Sequence, residues 1–279
     1  MRFLSFNIRY DNPADGPDAW PHRAAAVAEL IARLRPDAFG LQEALRHQVD
    51  QLARALHEVH ALDYDWRGVG RDDGGASGEH NPVFFRPSAL TLHDSGTFWL
   101  SDTPDSPGSC LPGAAFPRIC TWAKLQADGD KPFFFFNTHF DYTTEAVRTA
   151  SADRILGQIP SIAGLYPSVL LGDLNSAPGS TTWHRLAKSF FADTREAARA
   201  LPEDRRPHAD VGTFTGFRDA ATAGRVLPGD DTIDAVFLSG FALRRFEVRL
   251  DVRPDNGRCL SDHRAIQVDA TIGHGGDGP

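Results

Sequence analysis

The chain repeatedly places a polar cluster directly after a short apolar segment, and this arrangement constrains its fold most strongly. The clearest case is the apolar segment 167–171, which is followed by Gly172-Asp173-Leu174-Asn175. Because residues i and i+2 of a strand point to the same side, Asp173 and Asn175 are expected to converge on one small target. Taken alone, the same pair is also typical of an ordinary turn at a strand end.

The order of helix and strand patterns predicts an α/β fold. The predicted strands lie near 3–10, 37–42, 64–69, 82–86, 90–98, 119–126, 133–139, 168–172, 232–238, 242–251 and 264–271. Helical spacing occurs at 21–36, 45–56 and 143–159, and irregularly within 179–210. Because no clear helix separates the strands between 64 and 126, antiparallel pairing is expected there. We therefore predict two packed sheets with helices outside, in a single domain at 1–272 followed by a flexible tail at 273–279.

Composition and charge narrow the classes of function. Of the 279 residues, 41% are hydrophobic and 24% are charged, which suits a substantial core. The formal net charge is −8 without a long basic run, and binding to polyanions requires a basic surface, so a processive nuclease is disfavoured. Three cysteines without Cys-x-x-Cys spacing predict free thiols in a reducing compartment. Without a signal sequence or an apolar stretch of about 18 residues, a cytoplasmic protein with no membrane insertion is expected.

Polar clusters at strand ends carry the functional prediction. They are Asn7, Glu43, Asn137–Asp141, Gly172–Asn175, Asp231–Asp234 and Ser261–His263. Singly, each has a structural interpretation, such as a satisfied strand end or a helix cap. Gathering Glu43, Asp173, Asp234 and Asp262 without cations would be costly, because the carboxylates repel and lose hydration. A divalent cation removes that cost, and oxygen ligands without cysteine favour Mg²⁺ or Mn²⁺.

In this order, the motifs resemble those of the endonuclease/exonuclease/phosphatase superfamily over essentially the whole chain. The matching segments are Ser5–Arg9, Leu41–Glu43, Asn137–His139, Gly172–Asn175, Thr232–Asp234 and Ser261–His263. Three further segments, 70–74, 78–86 and 98–101, resemble a bacterial branch of it. The resemblance implies a four-layer α/β sandwich, in which two packed mixed sheets are flanked by helices, and a metal-dependent hydrolase of phosphate esters.

The resemblance also assigns a metal site and a site for the attacking water. Asn7, Glu43 and Asp262 would hold one or two Mg²⁺ or Mn²⁺ ions. Asp173 and Asn175 would orient and activate the water, or help to hold a second ion. The reaction would be an in-line attack on phosphorus, promoted by electrostatic stabilisation rather than by a covalent intermediate.

Two histidines complete the set of residues that the resemblance implies. His263 would contact the scissile phosphate and be oriented by Asp234. His139 would be a phosphate ligand or an acid, with Glu79 as its partner. Both histidines also lie near a carboxylate in the sequence, which suits phosphate contact or proton transfer.

Several residues keep alternative interpretations at this stage. Asp141 is expected to support the metal site, to contact substrate, or to cap the next helix. Arg118 is a candidate substrate-binding residue that would reach a phosphate, but a structural salt bridge is an equal alternative. Trp20, Trp99 and Trp122 would line a cleft or, as is usual for aromatic residues next to strands, belong to the core.

The leading prediction is a phosphoesterase that acts on a small or medium phosphorylated substrate: a sugar, a lipid head group or a nucleotide. The alternative is a nuclease of the same fold, which requires a basic groove and is disfavoured by the acidic charge. A degenerate binding module would require a lost ligand, and no motif residue is missing. The sequence predicts neither the choice between monoester and diester nor the oligomeric state. Substrate selection is expected to depend on the loops at 70–81, 99–118 and 176–230.

Overall fold

The computed structural model describes residues 1–217 and 231–273. Its strands are β1 (Arg2–Asn7), β2 (Ala38–Gln42), β3 (Asp65–Arg67), β4 (Val83–Phe85), β5 (Thr91–Trp99), β6 (Ile119–Gln126), β7 (Phe133–His139), β8 (Ser168–Asp173), β9 (Ala192–Asp193), β10 (Asp234–Ser239), β11 (Phe241–Val248) and β12 (Ile266–Ile272). Its α-helices are α1 (Ala24–Leu34), α2 (Arg46–Glu58), α3 (Glu145–Ala163), α4 (Thr181–Ala187) and α5 (Thr194–Ala197). Short 3₁₀ helices lie at Pro13–Asp18, Trp20–His22, Ala198–Ala200 and Glu203–Arg205.

The strands form two mixed six-stranded sheets, as the sequence predicts. The first sheet has the order β11-β12-β1-β2-β4-β3 and the second has the order β5-β6-β7-β8-β10-β9. Each sheet contains one parallel pair, β1 with β2 and β7 with β8, and its other neighbours are antiparallel. Helix α1 connects β1 to β2, and helix α3 connects β7 to β8. In each parallel pair, the two strands therefore end at the same edge of their sheet.

Side-chain alternation along the central strands produces four layers. Phe133 and Phe135 of β7 pack with Phe3 of β1 in the core between the two sheets. Phe134 and Phe136 point the other way, into the cluster beneath α3. The opposite face of β1 packs against α1 and α2. Because successive strand residues face opposite sides, four consecutive phenylalanines fill two layers of the core at once.

Two residues of the polar motifs have structural roles. The Asn137 side chain joins the two sheets: its Nδ2 donates to the Leu41 carbonyl at 2.8 Å, and its Oδ1 accepts from Gln42 Nε2 at 2.6 Å. At Gly172, φ is +148° and an added Cβ would lie 1.9 Å from the Thr138 carbonyl oxygen. Only glycine therefore lets β8 approach β7 closely enough to bring their ends together.

The structure corrects some predicted boundaries. Strand β1 ends at Asn7 rather than Tyr10, because Arg9 has a left-handed backbone with φ of 56°. The predicted helix start near Pro21 is a 3₁₀ turn, and α1 begins at Ala24. Region 179–210 contains the short strand β9 as well as helices. Apart from Gly273, the predicted tail lies outside the described residues.

The described residues also show the length of the helices and the state of the cysteines. Within residues 1–217 and 231–273, none of the helices combines the length and the apolar composition needed to cross a bilayer. Cys110, Cys120 and Cys259 are all free thiols.

Candidate active site

A pocket of about 590 Å³ opens where the ends of the central strands of both sheets meet. Residues at or next to strand ends form the bottom of this pocket, which we call the pocket floor: Glu43, His139, Asp173, Asn175, Asp262 and His263. One side, the pocket wall, is formed by Glu79, Phe116, Arg118 and Tyr142, which lie on loops. The structure thus brings the predicted residues of four polar clusters into one pocket, with Asn7 and Asp234 of the other two directly behind them.

Asp173 lies at the centre of the pocket floor and is 1% exposed. Its Oδ1 accepts a hydrogen bond from the Asn175 backbone N–H at 2.8 Å, and its Oδ2 accepts from Asn7 Nδ2 at 3.0 Å. The same Oδ2 lies 3.5 Å from His139 Nε2 and 3.6 Å from His263 Nε2. This one oxygen therefore faces both histidines of the site.

Burial, together with the nearby Asp234 carboxylate, raises the pKa of Asp173 to about 7. Asp234 pairs directly with Asp173 in the register of β10 and β8, so the sheet itself holds the two carboxyl groups together. A carboxyl group with a pKa near neutrality can take a proton from water under physiological conditions.

A backbone turn, and not the predicted strand geometry, places the Asn175 side chain in the pocket. Strand β8 ends at Asp173, and Asn175 has a left-handed backbone with φ of 48°. Its backbone N–H closes a turn onto the Asp173 carboxylate, and its Nδ2 donates to the Phe140 carbonyl at 2.9 Å. The two side chains converge because of this turn, not because of strand pleating as the i, i+2 argument assumed.

His263 and Asp234 form a hydrogen-bonded pair. His263 Nδ1 lies 2.9 Å from Asp234 Oδ2, and Thr213 Oγ1 accepts from the Asp234 backbone N–H at 3.1 Å. Burial opposes a charge on the imidazole, but the carboxylates of Asp234 and Asp173 hold the pKa of His263 well above its ordinary value. His263 is therefore a cation at neutral pH and suits contact with an anionic oxygen.

His139 has the opposite character. Burial and the positive charges of Arg118 and Arg71 hold its pKa well below the ordinary value. Its Nε2 lies 3.1 Å from the donor Nδ2 of Asn175, which places the ring proton on Nδ1. That Nδ1 lies 3.7 Å from Glu79 Oε2 and makes no hydrogen bond to any described residue. Glu79 is thus a close neighbour of His139, at ion-pair distance and without a hydrogen bond between the two side chains.

Two further carboxylates, Glu43 and Asp262, share a single guanidinium. Arg9 lies 3.9 Å from Glu43 Oε2 and 3.8 Å from Asp262 Oδ2. Burial and the Glu43 charge raise the pKa of Asp262. Asn7 donates its Nδ2 to Glu43 at 3.0 Å, while its oxygen accepts from the Arg9 backbone N–H at 3.0 Å. In this arrangement Asn7 donates to the carboxylates of Glu43 and Asp173, and its place at the metal site stays a prediction.

The donor set fits a hard divalent cation. Ligand atoms of Glu43, His139 and Asp173 lie within 4.8 Å of one another, and those of Asp173, Asp234 and His263 form a second such group. Carboxylate oxygens without a thiolate are the ligands that such ions prefer. Because His263 is already held by Asp234, the first group is the better candidate. Asp262 belongs to neither group.

The pocket wall is fixed by Asp141, which is fully buried. Its carboxylate accepts hydrogen bonds from the backbone N–H groups of Ala115 at 3.1 Å and Thr143 at 2.9 Å, and from Arg118 Nε at 3.4 Å. The cap of α3 is Thr144, so the helix-cap interpretation of Asp141 is wrong. Asp141 instead holds the loop before β6 against the segment that follows β7.

The same architecture occurs in known proteins. The sequence model of the Endonuclease/Exonuclease/phosphatase family matches residues 4–263. The chain belongs to this family. The structure of an endonuclease/exonuclease/phosphatase from Bacteroides vulgatus is 34% identical, covers 98% of both chains and superposes with a TM-score of 0.84. The mannosyl-6-phosphatase of Bacteroides thetaiotaomicron is 30% identical over 98% of this chain and 100% of its own, with a TM-score of 0.84.

A more distant relative matches in part. An uncharacterised protein of Acanthamoeba polyphaga mimivirus is 28% identical over 137 residues, which is 46% of this chain and 49% of the viral protein. The chain thus spans about half the length of the curated relative that it matches. The family resemblance and the four-layer fold predicted from the sequence motifs are confirmed.

Some pocket residues of this family member escape prediction from sequence. Trp20 and Trp99 are buried, and neither lines the pocket, so the core interpretation holds for both. The aromatic rings at the mouth are instead Phe116 and Tyr142, which are 42% and 57% exposed with ring centroids 6.3 Å apart. Phe214, whose ring lies 4.9 Å from His263, is also missed. Single aromatic residues in loops have no periodicity that would have identified them.

Proposed function

We propose that this protein is a divalent-metal-dependent hydrolase that cleaves a phosphate ester of a small or medium substrate with a ring, such as a sugar phosphate. The observation that carries the proposal is the buried Asp173 carboxyl, which faces both histidines on the floor of the pocket. Family members are hydrolases of phosphate esters, and a relative with 30% identity is a mannosyl-6-phosphatase.

The residues of the pocket floor divide the chemistry among them. Asp173 holds the attacking water with Asn175 and accepts its proton. His263, cationic because of Asp234, donates to a phosphoryl oxygen and stabilises the charge that develops there. The neutral His139 donates its Nδ1 proton or orients the phosphate from the other side. Mg²⁺ or Mn²⁺, held by Glu43 and Asp173 with support from Asp262, would supply Lewis-acid stabilisation of the phosphoryl and leaving oxygens.

The size and charge of the pocket support a small substrate. A volume of about 590 Å³ accommodates a phosphorylated ring. The exposed rings of Phe116 and Tyr142 at the mouth suit contact with the apolar face of such a ring. The net charge of −8 and the acidic pocket floor disfavour the long polyanionic backbone of a nucleic acid.

A substrate panel tests the proposal. Protein treated with EDTA is assayed with and without added Mg²⁺ or Mn²⁺ on aryl phosphate esters, hexose phosphates, nucleotides, phospholipid head groups, plasmid DNA and RNA. We expect turnover only with metal, and the highest kcat/KM on a phosphorylated small molecule. Activity that is indifferent to EDTA would refute the metal requirement. Preferential cleavage of DNA or RNA would favour the nuclease alternative.

A further inference from the structure

The guanidinium of Arg118 is buried at the pocket wall with most of its donors unused. Arg118 is 5% exposed and lines the pocket. Its one hydrogen bond to a described residue runs from Nε to Asp141 at 3.4 Å. Its Nη1 has no hydrogen-bond acceptor among the described residues and lies 3.9 Å from Glu79 Oε2. Because a guanidinium carries five N–H donors and a buried donor without a partner is costly, an acceptor from a ligand is expected here.

The neighbouring groups do not satisfy Arg118. Glu79 Oε2 accepts a hydrogen bond from Arg71 Nη1 at 2.6 Å, whereas it lies 3.9 Å from Arg118 Nη1, which is too far for a hydrogen bond. Asp141 already accepts from backbone N–H groups, so its oxygens are shared among several donors. The Phe116 ring lies over both guanidinium groups, with Arg71 at 4.6 Å and Arg118 at 5.9 Å from its centroid. The guanidinium is thus almost completely screened from bulk water, and Arg118 contributes to the lining of the pocket.

Arg118 lies close to the part of the pocket where the reacting phosphate is proposed to bind. Glu79 Oε2 lies 3.7 Å from His139 Nδ1 and 3.9 Å from Arg118 Nη1, so the guanidinium stands beside the histidine of the pocket floor. An anion that occupies the floor therefore lies next to Arg118. Since the side chain is almost completely buried, the space against it suits a bare oxygen atom and not an oxygen that carries a second alkyl or aryl group.

We propose that Arg118 binds a terminal phosphoryl oxygen and thereby makes the enzyme selective for phosphate monoesters over diesters. A monoester has three terminal oxygens, whereas a diester has two. The pocket floor can bind two of them through His263 and the cation site, and Arg118 takes the third. A diester must instead place an esterified oxygen against the buried guanidinium. The complex then lacks one charge-assisted hydrogen bond, and the second ester group clashes with the residues around Arg118. This inference rests on the proposed function and specifies its substrate class.

The test compares two esters with the same leaving group, p-nitrophenyl phosphate and methyl p-nitrophenyl phosphate, at about pH 8, where the monoester is a dianion. We expect the wild-type protein to prefer the monoester. Arg118→Gln should lower kcat/KM for the monoester about 100-fold and for the diester about 5-fold or less. Arg118→Lys, which keeps the charge but loses the planar fork, should give an intermediate ratio. Arg86→Gln, which breaks a remote ion pair with Asp37, is the matched control.

A binding measurement makes the result independent of turnover and of folding defects. Calorimetric titration with inorganic phosphate and with dimethyl phosphate, on variants whose thermal unfolding has been checked, should show that Arg118→Gln and Arg118→Lys weaken only phosphate binding. A wild-type preference for the diester, an equal loss on both esters, or unchanged phosphate binding would overturn the role of Arg118. Wild-type protein that hydrolyses no phosphate ester at all would instead refute the proposed function, and the titration would still decide whether Arg118 binds a terminal phosphoryl oxygen.

Discussion

The pocket floor and the pocket wall are built in different ways. The floor residues stand at or next to strand ends. Strand register aligns His139 with Asp173 across β7 and β8, and Asp173 with Asp234, behind the floor, across β8 and β10. The wall residues lie on loops, and the buried Asp141 holds the loop before β6 in place. Backbone hydrogen bonds between strands fix positions in a sheet, whereas loops can change without altering the sheet. We infer that the floor determines the reaction and that the wall determines which ester undergoes it.

The largest effect is expected at the centre of the floor. Asp173→Asn keeps the shape of the side chain and its contact with Asn7 but removes the proton acceptor. We expect kcat to fall about 10³-fold on every ester in the panel, because general-base catalysis contributes on this scale. The unfolding temperature should not decrease, since a carboxylate that is buried beside Asp234 is removed. Near-normal turnover, or a loss restricted to one ester, would contradict the assignment of Asp173 to the reaction.

A smaller effect is expected from the candidate metal ligand Glu43. Glu43 accepts hydrogen bonds from Asn7 Nδ2 and from the Tyr10 backbone N–H, one on each carboxylate oxygen. Glu43→Gln keeps an acceptor for one of these donors and removes the charge that attracts a cation. We expect activity at limiting Mg²⁺ to fall about 100-fold, with partial recovery at high Mg²⁺, because metal-ligand changes commonly cost this much affinity. Titration with Mn²⁺ monitored by electron paramagnetic resonance measures the affinity directly. The exposed Glu58→Gln on α2 is the control, and an equal metal affinity in both variants would exclude Glu43 as a ligand.

The positions of the floor residues could be predicted from the sequence, whereas those of the wall residues could not. Strand patterns in the sequence locate the floor. A run of apolar side chains such as Phe133–Phe136, which fills the core on both faces of the sheet, identifies a central strand. The end of that strand then identifies an edge of the sheet. The predicted positions of Glu43, Asp173 and His263 therefore meet in one pocket.

The wall and the local backbone turns are less accessible from sequence. The left-handed backbones of Arg9, Glu43 and Asn175 depend on contacts that form only when the sheets are packed. The role of Asp141 depends on a loop that precedes it by more than 20 residues, and such long-range contacts have no local periodicity. Motif reading locates Asp141, but only the folded chain shows which groups its carboxylate holds.

The wall itself is tested by Asp141→Asn, for which we expect the smallest effect on turnover and a loss of stability. Although burial opposes its ionisation, hydrogen bonds from Thr143 and the charge of Arg118 hold the pKa of Asp141 below its ordinary value. A lowered pKa means that the carboxylate stabilises the fold above the unfolded value of about 3.9, and that this contribution is lost as the pH falls through the lower folded value. At neutral pH we expect the substitution to reduce the free energy of unfolding by about 1–3 kcal/mol.

Urea unfolding at neutral pH and at about pH 3 measures this difference, which should shrink at the acidic pH because the wild-type carboxylate is then partly protonated. Asp153→Asn, which removes an exposed ion pair with Arg185, should cost less than about 0.5 kcal/mol at either pH. A loss for Asp141→Asn that does not depend on pH would mean that its shape and not its charge holds the wall. In that case its amide would still position Arg118, and the ratio of monoester to diester hydrolysis would stay at the wild-type value. A pH-dependent loss together with a lower ratio would show that the carboxylate links the stability of the wall to its selectivity.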